Sequence, residues 1–364
     1  MPRESATKAS EMNATRNELR RVVRRDTRRA TGGLLLVAGM LAASCSPDAG
    51  ARGEWPKAQP IYVAVLVAPG GATDLSNRAV AAAMEQDLGA RFSVINMPGA
   101  QGGVAAAYVW NAPREGHVWL GIAEASLGMS VLGAHSTSAR DWRYFLVGGT
   151  KGILSVPAAS PYGSAEELIA ATRRIPNQLR IASSIQGAVW HIQYLALSRA
   201  GDLQLRWISY PGSHPSQLAA LTGEVDVVLT GLGEQVELLR GGQLRPLAVI
   251  DAEPLEVEGV GRIPPITDAV PSVASLLPIR QFVGFSLPVD TPQETLELIE
   301  AAFQRAMQSE QVLSFIRQSH SEALALSGDE AQQLVEDQEK FFTWSLYDAG
   351  LATVSPADFG IERP

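Results

Sequence analysis

The chain has 364 residues, 46% apolar and 19% charged, with 33 Gly and 22 Pro. That exceeds one domain at ~100–200 residues each, and the composition is neither collagen-like nor disordered. The formal charge is −8, but the first 45 residues hold 9 of the 30 Lys/Arg and 4 of the 38 Asp/Glu, which leaves the rest strongly acidic; this argues against nucleic acid as a partner, because phosphate binding needs a basic surface.

Residues 1–45 read as an export signal. Arg20, Arg21, Arg24, Arg25, Arg28 and Arg29 precede an apolar run from Leu34 to Ala43, which ends at Ala-Ala-Ser-Cys. A basic region, a short apolar region and small residues at the cut define a secretory signal. The run is about half the ~20 residues that a permanent span needs. Cys45 is the only cysteine, so an intrachain disulfide framework and a cysteine-rich metal site are excluded. It stands where a bacterial lipoprotein carries its lipidated cysteine, with Leu41 four residues before it. Arg28-Arg29 resembles a twin-arginine signal but lacks the apolar follow-up. Residues 46–56 read as a linker. The expected location is the periplasm, with a membrane anchor through lipidated Cys45.

Along the mature chain a strand, Gly-rich loop and helix recur. Ile61–Ala68 is a nearly unbroken apolar run, the pattern of a strand buried on both faces. Pro69-Gly70-Gly71 breaks it, and Thr73 or Asp74 can cap a helix running to Leu88. Residues 92–96 give a second strand, and a helix over 104–110 follows a second Gly-rich loop. The pattern returns with a strand at Leu179–Ser183, a loop over 184–188 and a helix at Val189–Arg199. It recurs with a strand at Leu205–Ser209, the loop Tyr210–Pro215 and a helix at Ser216–Leu221. Strands are also predicted at Val225–Leu229 and Gln243–Ile250. Residues 251–281 read as a crossing segment, and 293–308, 310–318 and 328–346 as amphipathic helices. The fold class is therefore α/β in two lobes.

A Gly-Gly after a buried strand suits anion binding, because the helix start offers unpaired N–H groups and a positive dipole end. It is also a common tight turn. Nucleotide-binding, nucleophile-elbow and zincin motifs are missing. The five histidines lack metal-ligand spacing, so no cofactor and no metal is expected. Ser183, His191 and Asp226 are the one conceivable Ser–His–Asp set, but nothing local activates the serine. His191 reads as an orienting or capping residue. Trp190 and Tyr210 read equally as cleft walls or core.

The stretches VAPGGATD (67–74), VINMPGAQGG (94–103), IASSIQGAVWH (181–191), SYPGSHPSQLAALTGEVDVV (209–228) and GGQLRPLAVI (241–250) resemble the motifs of periplasmic receptors of tripartite tricarboxylate transporters, the TctC or Bug family. The resemblance runs from about residue 57 to 350. It implies a non-enzymatic receptor with a two-lobed periplasmic-binding-protein (Venus-flytrap) fold, which captures a small carboxylate between lobes for membrane permease subunits. The expected lobes are 57–157 with 278–364, and 158–277, in a monomer. The family's carboxylate-holding loop falls on Ala68, Gly70, Gly71, Ala72, Thr73 and Asp74. Its second contacts fall on Ser183, Gly187, His191, Tyr210, Gly212 and Ser213. Electrostatics favours Asp74 as a cap over a ligand contact, since two carboxylates side by side repel. Departures from the family are Ile185 in place of Gly, Ala188 in place of Ser or Thr, Phe282 in place of Trp, and His214 at a small position. The arginine expected after the LAVI strand is absent. Ile185 predicts a monocarboxylate or aromatic acid in preference to citrate. Two other functions share this frame: a sensor for a signalling partner, and an enzyme, which would need a reactive Cys, a Lys-rich site or a metal.

Overall fold

A computed structural model of the chain describes residues 55–57, 59–201 and 203–364. The export signal, Cys45 and nearly all of the linker lie outside the described residues. In chain order the elements are β1 (Ile61–Val65), α1 (Ala72–Leu88), β2 (Phe92–Asn96), α2 (Gly103–Trp110), β3 (Val118–Ala123), β4 (Trp142–Gly149), β5 (Gly152–Pro157), α3 (Ala165–Arg174), β6 (Arg180–Ala182), α4 (Val189–Gly201), β7 (Arg206–Ile208), α5 (Ser213–Leu221), β8 (Val227–Gly231), α6 (Leu232–Arg240), β9 (Leu244–Val249), β10 (Leu255–Val257), β11 (Gly261–Ile263), α7 (Ile266–Ala269), β12 (Val283–Pro288), α8 (Gln293–Met307), α9 (Glu310–Gln318), β13 (Glu322–Leu326) and α10 (Gly328–Asp348).

Two sheets organise these elements. The first runs β13-β4-β12-β3-β1-β2 and the second β7-β6-β8-β5-β9; β10 and β11 form a separate hairpin. Strands β1, β2 and β3 are mutually parallel, as are β6, β7 and β8, while β12 and β5 run against their neighbours. Successive residues of a strand point to opposite faces. Ile61, Val63 and Val65 accordingly enter one apolar cluster, with Met84 of α1 and Phe303 of α8, while Ala64 enters the cluster on the other face. Trp119, Phe285 and Phe145 stack in series, with centroids 4.5 and 4.7 Å apart. In the second sheet Ile153 and Leu154 divide between two clusters in the same way. This burial on both faces is what the apolar runs predict.

Differences from the sequence reading lie where glycine or polar residues interrupt the runs. Strands β3, β4, β5, β10, β11, β12 and β13 and helices α3, α6 and α7 were not read from the pattern. The reading placed residues 152–157 in the first lobe, but β5 pairs with β8 and β9 in the second sheet. The first crossing is therefore Thr150-Lys151, between β4 and β5. The second runs through the residues just before β12.

Candidate functional site

Sheet register decides which loops meet. Val283, at the start of β12, lies opposite Ala123 at the end of β3 and Gly148 near the end of β4. Gly152, at the start of β5, lies opposite Gly231 at the end of β8. Both crossings thus leave their sheets at the edge where β1, β3, β6 and β8 end. The loops after those strands face the other lobe, the place where α/β sheets hold ligands.

On the first-lobe side, Ala68, Gly70 and Gly71 are exposed and Ala72 is half-buried. Gly70 has φ 90°, a conformation that strains any residue with a Cβ. Gly71 is the N-cap of α1 and supplies no side-chain cap. The N–H groups of Ala72 and Thr73 make no hydrogen bond among the described residues, as expected of a helix's first turn. Asp74 is 2% exposed and faces inward. Its carboxylate accepts from Gly70 N (2.9 Å), Arg78 Nε (3.0 Å) and Asn96 Nδ2 (2.8 Å). Burial alone would raise its pKa, but Arg78, Gly70 and Asn96 outweigh that and hold it below the ordinary value. Asp74 therefore fastens the loop to the helix. The Gly70 N–H, expected among the anion donors, is committed to Asp74.

The second-lobe positions are mostly enclosed. Ser183 is fully buried, and its Oγ accepts Trp207 Nε1 at 2.7 Å. His191 is 1% exposed; its Nδ1 accepts Gly187 N at 3.1 Å, and its ring stacks on Trp207 at 4.0 Å. Burial depresses its pKa to about 4. The ring is therefore neutral at physiological pH, with its proton on Nε2, and pins the turn at Gly187. Ser184 holds φ 81° while its N–H donates to Ser216 Oγ (2.9 Å), a backbone strain of order 1–3 kcal/mol. The Gly212 N–H donates to Tyr210 O (2.8 Å), and Ser213 opens α5 beside Glu234. Tyr210 packs its ring on the apolar cluster of Ile153, Ala182 and Ala219. Burial and then the adjacent Glu224 raise its phenol to about 12. The Tyr210 backbone N–H donates to Ser184 O (3.2 Å), in the loop after β6. Trp190 is 2% exposed and belongs to the core.

The Ser–His–Asp set does not assemble: Ser183 bonds Trp207, and Asp226 is held by Arg180 Nε at 3.0 Å. Among the described residues no group of His, Cys, Asp and Glu could hold a metal. No hydrogen bond among the described residues joins the loop 68–74 to Ser183–Ser213. The lobes are linked instead by Glu124, which the sequence reading missed. It opens a 3-10 turn after β3 and is 4% exposed; its Oε1 accepts Val189 N, at the start of α4, at 3.3 Å. Its signal in the sequence was a charge placed directly after a buried apolar strand. Two open grooves of about 700 and 810 Å³ lie elsewhere, one beside Tyr62 and Tyr108, the other beside Phe341 and Arg363.

Residues 76–342 match the model of the tripartite tricarboxylate transporter family receptor, TctC. The chain belongs to the TctC family. This is a family of periplasmic solute-binding receptors, not of enzymes. Protein BugT of Bordetella pertussis is 22% identical over 314 residues, covering 84% of this chain and 94% of BugT. A protein from the tcbD-tcbE intergenic region of a Pseudomonas species is 26% identical over 271 residues, covering 71% and 77%. Two solved structures share the two-lobed fold. An R. palustris protein with adipate has TM-score 0.71 and 24% identity, over 82% of this chain and 99% of that one. MatC from Rhodopseudomonas palustris with bound malate has TM-score 0.68 and 22% identity, over 79% and 99%. Among the described residues of this TctC receptor, no helix is long and apolar enough to cross a membrane.

Proposed function

We propose that this TctC receptor binds a small organic carboxylate between its lobes and delivers it to the membrane permease of a tripartite transporter. The observation that carries this reading is the start of α1, where Gly70 and Gly71 are exposed and Ala72 is half-buried. The N–H groups of Ala72 and Thr73 there make no hydrogen bond among the described residues, on a loop that Asp74 fastens from behind. A helix N-terminus of this kind attracts a carboxylate. The attraction has to be local, because the acidic mature chain repels anions at long range. Adipate and malate in the two related structures fit the same ligand class.

In this reading a carboxylate sits on the loop Ala68–Asp74. The rest of the ligand meets the second lobe near Gly187, Gly212 and Ser213, while Ser183 and His191 hold that wall from behind. Closure of the lobes follows, because only the closed state makes both sets of contacts. The protein works as a monomer anchored by lipidated Cys45. Titration calorimetry with a panel of mono-, di- and tricarboxylates tests the reading. Saturable binding of at least one acid is expected; no heat from any of them would contradict it.

A further inference from the structure

The two crossings are held together by side-chain amides. Gln193 stands in α4, two residues after His191, and is 1% exposed. Its Nε2 donates to the carbonyl of Ile279, in the second crossing, at 2.8 Å. Its Oε1 is enclosed and has no hydrogen-bond partner. On its other side the amide lies against Gly152, the residue that follows the first crossing: a Cβ there would strike Oε1. The space that a side chain at 152 would fill is thus taken by the Gln193 amide. A second amide acts nearby. Gln281 Oε1 accepts Thr150 N, in the first crossing, at 3.1 Å, and a Cβ on Gly149 would strike the Gln281 carbonyl.

A buried amide whose oxygen finds no donor costs stability, and an apolar side chain of the same size would not carry that cost. What the amide supplies is position. An apolar contact is non-directional and tolerates sliding of the second crossing past α4. A hydrogen bond to Ile279 O, with Gly152 backing the amide, fixes where that crossing runs. The same helix carries part of the second-lobe wall at its start. There His191 Nδ1 takes Gly187 N, and Glu124 of the first lobe takes Val189 N. One helix therefore sets both the wall and the second crossing.

We propose that Gln193 is a positioning residue for lobe closure. Its amide joins the second crossing to α4 and to the start of β5. The lobes then turn about Thr150-Lys151 and Arg280-Gln281, and the Gly187 turn meets the first lobe in one place. This rests on the reading that the lobes close on a carboxylate, and it names the residue that sets the axis.

The hinge is tested by hydrogen exchange of the ligand-free protein, resolved at single residues. The probes are the Thr150 amide, held by Gln281, and the amide of Phe282, which is fully buried at the end of the second crossing. In Gln193→Ala both should exchange about tenfold faster, while the amides of β1 and β8 stay within about twofold of the parent. Gly152→Ala displaces the amide from the other side and should act in the same way. Added to Gln193→Ala it should have no further effect, because the methyl group enters space that the amide has left. If Gln193→Ala fails to fold by circular dichroism, Gly152→Ala carries the comparison alone. Calorimetry with the acid that the parent binds best should show about threefold weaker binding by the folded variant, since a looser hinge spends less time closed. Exchange at Thr150 and Phe282 that is unchanged, or raised equally throughout the molecule, overturns the proposal. Faster exchange with unchanged affinity also overturns it. A parent protein that binds no acid removes the receptor reading, while the exchange result still decides whether Gln193 sets the hinge.

Discussion

Asp74 shows how one buried charge shapes a site without facing the ligand. Its two oxygens are taken by Gly70, Arg78 and Asn96, so it sets the loop conformation while the free N–H groups point elsewhere. Hydrogen bonds to a charged group contribute roughly 1.5–3 kcal/mol each. Asp74→Asn should therefore lower the melting temperature and the affinity together. Lost binding with unchanged melting would mean that Asp74 touches the ligand. The sequence reading made Thr73 or Asp74 the cap of this helix; Gly71 takes that position instead, and Asp74 bonds back to the Gly70 N–H from inside the first turn. The packing of Tyr210 was not legible. An aromatic residue beside a Gly-Ser loop reads equally as cleft wall or core, and the apolar cluster that Tyr210 packs against is drawn from residues far along the chain. A second buried acid gives a pH test. Glu339 is 5% exposed and accepts Ala139 N at 2.7 Å. Burial raises it from 4.5 to about 7, with Arg140 opposing and Glu336 and Asp141 adding to the rise. A raised carboxyl keeps its proton in the native state after the unfolded chain has released its own. The stability it contributes is full below pH 4.5 and falls away as pH rises to about 7, a loss of roughly 3 kcal/mol. Glu339→Gln should raise the melting temperature at pH 8 and leave it nearly unchanged at pH 5. An equal shift at both values would contradict the buried-acid account.

At the scale of elements, the anion site is made by a strand ending and a helix beginning. β1 stops at Val65, short of the full apolar run, so Leu66 to Gly71 can turn back into α1. Gly70 takes φ 90°, and a Cβ there would meet nothing within 4 Å. The penalty of Gly70→Ala is therefore conformational, about 1–2 kcal/mol. Affinity for an acid should fall severalfold by calorimetry, with only a small loss of melting temperature. Undiminished affinity would separate the loop from binding. Three of the strands missed from sequence share a physical cause. β3 reads VWLGIA, β4 WRYFLVGG and β5 GILSVP, so glycine interrupts the apolar run of β3, ends that of β4 and opens that of β5. Those glycines are required by close approach: a Cβ on Gly149 would strike the Gln281 carbonyl, and one on Gly121 would come within 2.8 Å of Val65. Close strand and side-chain neighbours are tertiary information, which no local window contains.

At the scale of the molecule, two sheets are coupled by short crossings and a few bridging contacts. Lys151, in the first crossing, pairs with Asp251 at 2.9 Å and Glu322 at 3.3 Å. Gln193 of α4 donates to Ile279 O at 2.8 Å, and Arg199 pairs with Asp348 of α10 at 2.9 Å. Two lobes and one cleft were legible because strand, loop and helix recur in both halves. Glu124 was not, because its partner Val189 is 65 residues away. The anchor proposal belongs to this scale. A thioether-linked lipid with an amide-linked chain holds a protein stably, where one chain is marginal. Cys45→Ala should move the protein from the membrane to the soluble periplasmic fraction; equal membrane association of variant and parent would contradict it. Native mass spectrometry of the purified protein tests the central claim most directly. The account predicts an adduct with the mass of a small organic acid, released on unfolding and absent from an Asp74→Ala variant whose loop is no longer fastened. No such adduct in any preparation, or one carried undiminished by the variant, would contradict it.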